Sequence, residues 1–258
     1  MIQFATWNSE WATPTSRASA WALEYLRPDL DAGVFTEIRA DMFGSWGGHL
    51  VAPAESWGYA GQHEQRRKVA LWSARPWRDV DEVGHSELPP GRFIAGTTDT
   101  PFGPIRAIGV CVPWKDAHVR TGRRDAEPWS EHLEYLTHLR SGLRESSGLT
   151  SPLIVAGDLN QSLPRTRAPE HVYDQLAAAF DGFDVPTAGL RGRRALIDHV
   201  AISSQAGRQL SAVSVEVLEA VEGETHLSDH DAVRVQLAEA VDRRRASAEA
   251  ESHFQNRR

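Results

Sequence analysis

The sequence predicts an α/β sandwich, a four-layer α/β/β/α stack of two mixed β-sheets with helices packed outside. Three observations carry that expectation. Ten short runs of strand character recur along the 258 residues, many flanked by Gly, Pro or Asp. Helical spacing is confined to three stretches, and these do not alternate with the strands as a strict βαβ fold requires. With 41% apolar residues, nine Trp and eight Phe, the chain can also fill a sizeable core.

The elements follow in order. "IQFATW" opens as a strand, and "TSRASAWALEYLR" reads as a helix because it follows a Pro-Thr-Ser start and stops before Pro28. Strand-like runs then come at "AGVFTEI", "GHLVA", "KVALWS", "RFIAGTT" and "IRAIGVCV". "EPWSEHLEYLTHLRSGLRES" places apolar residues three and four apart and predicts a second helix. After the strand "PLIVAGDL" comes a third helix, "PEHVYDQLAAAF", and then the strands "ALIDHVAIS", "AVSVEVL" and "AVRVQLA". Residues 1–240 read as one domain. From Val241 the composition turns charged and nearly free of large apolar side chains, so 241–258 is expected to be a frayed helix or a disordered tail.

Charge and composition narrow the function. The 28 basic and 35 acidic side chains leave a net charge of −7, which argues against a protein that coats nucleic acid by charge alone. An enzyme that grips phosphate through a bound cation is still allowed. Cys111 is the only cysteine, so no intramolecular disulfide can form, and within "AIGVCV" it reads as a small buried hydrophobe. No basic start precedes a long apolar stretch, and no segment approaches the roughly 18 apolar residues of a membrane helix. No membrane span and a cytoplasmic location are the expectations.

Polar residues recur where strand patterns finish: Asn8 after "FATW", Glu37 after "VFT", Asp158 and Asn160 after "LIVAG", Asp198 within "LID", and Asp229 with His230 before "AVRV". A carboxylate inside a run such as "AGVFTEI" is costly to bury unless it is paired or binds a cation. Hard oxygen ligands from Glu, Asp and Asn suit Mg2+ or Mn2+, and a lone cysteine leaves little for a thiolate site.

Carried by "ATWNSE", "FTEI", "VAGDLN", "LIDHVAIS" and "LSDHDAV" in that order, the chain resembles the endonuclease/exonuclease/phosphatase superfamily, with the fold of deoxyribonuclease I and exonuclease III. The resemblance implies a cation-dependent phosphoesterase in which Glu37, with Asn8 and Asp229, holds Mg2+ or Mn2+ against a phosphate oxygen. It further implies that Asp158 orients or deprotonates the attacking water and that Asn160 donates to a non-bridging oxygen. His230 would contact the phosphate or the water, with Asp198 fixing its ring and favouring its charged form. His226 and Asp231 are then flanking residues. Glu10, two residues past Asn8, is a further candidate for the metal shell.

One departure stands out. Where many members place a His or a Tyr after the strand "IRAIGVCV", this chain has Pro113, Trp114 and Lys115, with His118 several residues out of register. Trp114 and His118 are therefore the candidates in that loop. Lys68 reads as a solvated side chain ahead of its strand, with an ion pair from Glu37 to Arg39 or Lys68 as the bland alternative for that carboxylate, and Glu134 with His138 reads as a solvated helix face. The tryptophans Trp46, Trp57, Trp72, Trp77 and Trp129 read as core, although aromatic residues can also stack bases.

The leading reading is a phosphodiesterase or nuclease, endonuclease or exonuclease, with nucleic acid as one candidate substrate. The alternative is a phosphatase or phosphodiesterase acting on a small phosphorylated metabolite or a lipid headgroup. The arginine clusters in "HEQRRK", "RTGRRD" and "LRGRR" either converge on one rim that grips a polyanion or are separate solvated loops. A catalytically dead binding protein on the same fold is the third class. A zinc-hydrolase reading of "THLSDHD" fails because Ser228 stands where the His-x-His pattern needs its second His. A serine hydrolase built on Ser228, Asp229 and His230 fails because consecutive strand residues point to opposite faces.

Overall fold

In the computed structural model, residues 1–54, 56–59, 64–146, 151–204 and 210–239 are described. The expected tail at 241–258 lies outside them. β1 (Ile2–Asn8) leads into α1 (Arg17–Tyr25), whose N-cap Ser16 accepts a hydrogen bond from the Ser19 amide. The chain continues through β2 (Ala32–Arg39), a 3-10 turn (Ala40–Ser45), β3 (His49–Val51), β4 (Arg66–Ser73), β5 (Trp77–Asp81), β6 (Phe93–Thr100) and β7 (Gly103–Cys111). Next come α2 (Ser130–Ser146), β8 (Leu153–Asp158), α3 (Glu170–Ala179), β9 (Phe183–Asp184), β10 (Asp198–Ser203) and β11 (Leu210–Leu218). The small hairpin β12 (Val221–Glu222) and β13 (Thr225–His226) precedes β14 (Ala232–Glu239).

Each of the expected strands and helices forms. Four elements went unread: β5, β9 and the β12–β13 hairpin. Three of them are only two residues long, and β5 is an edge strand whose sequence "WRDVD" carries too much charge to look like one.

Among the described residues the strands build two six-stranded sheets, ordered β11-β14-β1-β2-β4-β3 and β5-β6-β7-β8-β10-β9. Both are mixed. β1 runs parallel to β2 but antiparallel to β14, and β7 runs parallel to β8 while β8 pairs antiparallel with β10.

Strand alternation sorts the side chains into layers. Ile2, Phe4, Val34, Val69 and Leu71 of the first sheet meet Ile94, Ile105, Ile154, Val200 and Ile202 of the second in the central core. On the outer face of the first sheet Ala5, Trp7, Phe35 and Trp72 pack against Trp21 and Ala22 of α1, and Trp7 and Trp21 lie 5.3 Å apart. On the outer face of the second sheet Ile108, Val110, Val155 and Ala201 pack against Tyr135, Leu136, Leu139 and Leu176 of α2 and α3. The order helix, sheet, sheet, helix is the predicted four-layer sandwich. Among the described residues no helix is long and apolar enough to cross a membrane.

Candidate active site

The polar residues come together because strands of both sheets finish at the same end of the sandwich. Asn8 closes β1 and Asp158 closes β8, and the Asn8 Nδ2 donates to Asp158 Oδ2 across the gap between sheets at 3.2 Å. In β2 the alternation breaks at Glu37. Phe35 and Ile38 both pack on the outer side of the sheet, and Glu37 between them takes a left-handed φ of 47°. Such a conformation is strained for a side-chain-bearing residue and persists only where its surroundings enforce it. The enforcement is local: the Glu37 carbonyl accepts from the Trp11 amide at 2.7 Å and from Ser9 Oγ at 3.0 Å.

Asp158 and Asp198 face each other in register across β8 and β10, each only 2% exposed. Burial pushes the Asp158 carboxyl up to about 7, the Asp198 and Glu37 charges push the same way, and the His230 charge and the Asn160 amide oppose them. That amide donates to Asp158 Oδ1 at 2.8 Å, while Asn160 Nδ2 donates to Asp158 Oδ2 at 3.1 Å and to the Val112 carbonyl at 2.9 Å. Asn160 itself holds a φ of 52°, an αL turn position that Asn tolerates better than most residues.

His230 Nδ1 donates to Asp198 Oδ2 at 2.5 Å. Burial works against its charge, but the charge and hydrogen bond of Asp198, with Asp158 and Asp229 adding, outweigh it and carry the imidazolium up to about 10. Its ring is thereby fixed as a cation whose Nε2 lies 3.5 Å from Asp229 Oδ1. The loop carrying it is tied to β1: Ser228 Oγ donates to the Asn8 carbonyl at 2.8 Å and accepts from the His230 amide at 3.1 Å, and Trp7 Nε1 donates to the His230 carbonyl at 3.3 Å.

Asn8, Glu37, Asp158, Asn160, Asp198 and His230 thus form one constellation. Asp229 sits at its rim with a side chain 60% exposed, its amide donating to Glu10 Oε2 at 3.3 Å, and the Glu10 amide donates in turn to Asn8 Oδ1 at 3.0 Å. His118 is not brought into the group. It is 1% exposed, stacks on Tyr59 at 4.4 Å, accepts from the Arg123 amide at Nδ1 and faces Glu131 at Nε2. Trp114 is 45% exposed and lines a cleft of about 790 Å³ that runs past Asn160, Asp198, Asp229 and His230.

Sequence reasoning missed two members. Lys68, read as solvated, ion-pairs with Glu37 and lies over the Trp11 ring at 5.1 Å. Ser228, weighed as a nucleophile and as a break in a zinc pattern, is instead the tie between β1 and the His230 loop. The Lys68 pairing stood only as the bland alternative for Glu37, because a lysine before a strand looks the same solvated or paired. For Ser228 the cue was available, since a Ser hydroxyl often accepts from the amide two residues on.

The donor set suits a hard divalent cation. Glu37 already draws the Lys68 ammonium, and Asp198 Oδ1 is buried without a hydrogen-bond partner among the described residues. Ligand-capable atoms of Asp158, Asp198 and His230 also lie within 4.8 Å of one another, although the His230 Nδ1 is occupied by Asp198.

Comparison with known proteins places the family and the fold. A model of the Endonuclease/Exonuclease/phosphatase family matches residues 5–230. No curated protein matches the chain by sequence. Among solved structures, the 3' phosphatase NExo from Neisseria, bound to a product DNA hairpin, aligns with a TM-score of 0.67 at 17% identity, covering 92% of this chain and 100% of that one. An AP endonuclease from Archaeoglobus fulgidus aligns with a TM-score of 0.63 at 17% identity, covering 92% and 99%. A mutant beta toxin from Staphylococcus aureus with bound magnesium ions aligns with a TM-score of 0.58 at 13% identity, covering 91% and 98%. At such identities the likeness to these structures establishes the shared fold.

Proposed function

The chain belongs to the endonuclease/exonuclease/phosphatase family of hydrolytic phosphoesterases, and from that premise we propose that it is a divalent-cation-dependent phosphodiesterase acting on nucleic acid. The observation that carries the reading is the buried Asp158–Asp198–His230 group beneath Asn8 and Asn160, opening on a cleft. Glu37 and Asn8, with Asp229 at the rim, would hold Mg2+ or Mn2+. When bound, the cation supplies polarisation of phosphorus and charge stabilisation at the leaving oxygen.

The chain's own residues supply the rest. Asp158, with its carboxyl lifted to about 7, is a base matched to neutral pH and takes the proton of the attacking water. His230, kept cationic by Asp198, presents Nε2 as a fixed donor to a non-bridging phosphate oxygen. Asn160 orients Asp158 through its amide and side chain, and Asn8 holds the same carboxylate from the other sheet. Asp198 acts through His230 and positions it.

Hydrolysis of single- and double-stranded DNA, RNA, bis-p-nitrophenyl phosphate and p-nitrophenyl phosphate, each with Mg2+, Mn2+ or chelator, tests this. Cation-dependent cleavage of diesters is expected, falling by about 10³-fold or more in Asp158→Ala. Full activity in that variant would overturn the assigned roles. A second reading, a small phosphorylated metabolite or lipid headgroup, fits the same cleft of about 790 Å³. Cleavage of the small esters alone would select it.

A further inference from the structure

The segment "RGRR" at 191–194 lies in a chain of net charge −7, and its arginines do not share one fate. Arg191 bridges to Ala195 and the Gly192 amide donates to the Arg194 carbonyl at 3.1 Å, so the segment is a tight turn just ahead of β10. Arg193 is consumed by that turn's attachment. Its amide donates to Asp231 Oδ2 at 2.9 Å, its Nε to Asp231 Oδ1 at 2.8 Å, and its second guanidinium nitrogen to the Ser228 carbonyl at 2.9 Å. Gly192 makes the approach possible, because a Cβ there would stand 2.1 Å from Asp231 Oδ2.

The middle arginine therefore pins the turn to the loop that carries His230, and its neighbours are left outside. Arg191 and Arg194 are exposed and line the catalytic cleft, as does Arg167 from the loop before α3. None of these three has a carboxylate partner among the described residues. Three guanidinium groups without a carboxylate partner lining one cleft make it a place suited to an anion. Trp114, 45% exposed, lines the same cleft.

We propose that Arg191, Arg194 and Arg167 form a phosphate subsite beside the catalytic group and that Trp114 stacks a base, so that the substrate is an unpaired nucleic-acid strand. The proposal rests on the phosphodiesterase reading above. A cleft of about 790 Å³ accepts a few nucleotides of one strand, whereas a duplex would bring its second backbone against the acidic remainder of the protein. Stacking on Trp114 likewise requires a base released from its partner.

The test measures kcat/KM for a single-stranded oligonucleotide, the same strand annealed to its complement, and bis-p-nitrophenyl phosphate. Wild type is compared with Arg191→Ala/Arg194→Ala, with the charge reversal Arg194→Glu and with Trp114→Ala, after thermal melting shows each variant folded. The double variant should lower the ratio of oligonucleotide to bis-p-nitrophenyl phosphate activity by about tenfold or more. Between about 50 and 200 mM salt its log–log salt slope for the single strand should flatten by about 1.4, two contacts at about 0.7 each. Arg194→Glu should lower the ratio further, and Trp114→Ala should weaken the single strand by about tenfold. An unchanged ratio and slope in the double variant would overturn the subsite, and equal rates on duplex and single strand would overturn the unpaired-strand assignment. Failure of wild type to hydrolyse any diester would instead overturn the underlying phosphodiesterase reading, which keeps the two apart.

Discussion

At the residue scale, His230 and Asp198 behave as one unit. The imidazolium survives burial because Asp198 supplies both a charge and a hydrogen bond. Asp198→Asn keeps the shape and removes the charge, so the His230 ring, followed by NMR titration, should titrate well below its present value of about 10. Turnover should fall by about 100-fold alongside. A ring that still titrates where it did would mean that Asp198 is not its partner. These residues were legible in sequence because a carboxylate or amide at the close of an apolar run is expensive without a purpose. Lys68 was legible only as one possible ion-pair partner of Glu37, because the left-handed backbone at Glu37 is announced by no local pattern.

At the scale of elements, the site depends on how closely β7 and β8 run. Gly157 precedes Asp158 with φ at 131°, and a Cβ there would sit 2.0 Å from the Val110 carbonyl oxygen. Gly157→Ala must therefore part the two strands or twist the peptide that leads into Asp158. Urea unfolding should show a loss of about 2–4 kcal/mol, with diesterase activity falling disproportionately because the catalytic carboxylate moves. Wild-type stability and activity together would show that the strands yield freely. The strands themselves were readable from alternation. That their polar ends meet was not, since Asn8 and Asp158 are 150 residues apart and belong to different sheets.

For the whole molecule, buried imidazoles set the response to acid. His132, held between the Pro113 carbonyl and Gln161, and His199, beside Thr187, are both pushed down to about 4, by burial first. Between the ordinary 6.5 and about 4 the unfolded chain binds protons on both that the folded chain refuses, so stability present above pH 6.5 is lost as pH falls. Asp158 acts oppositely over the same window, since its raised carboxyl keeps a proton in the folded state that the unfolded chain gives up. His118, lowered by burial as well, adds to the two imidazoles, so the rings outweigh Asp158 and stability is lost on balance between pH 6.5 and 4. Urea midpoints across that range should fall accordingly and fall less steeply in His199→Asn. A flat profile would mean that the buried rings are charged or hydrated in the native state.

The amino-acid order by itself determined the longer strands and the three helices, that the fold is a layered α/β sandwich, and which polar residues stand at strand ends. Period and burial cost are local quantities, and a chain carries them openly. Only the tertiary structure decided that Lys68 rests on Glu37, that His118 turns away to Tyr59 and Glu131, and that one arginine of "RGRR" is a staple while two face the cleft. Those outcomes depend on which distant side chain arrives within a few ångströms. That distance is fixed by sheet register and packing, and the spacing along the chain does not contain it.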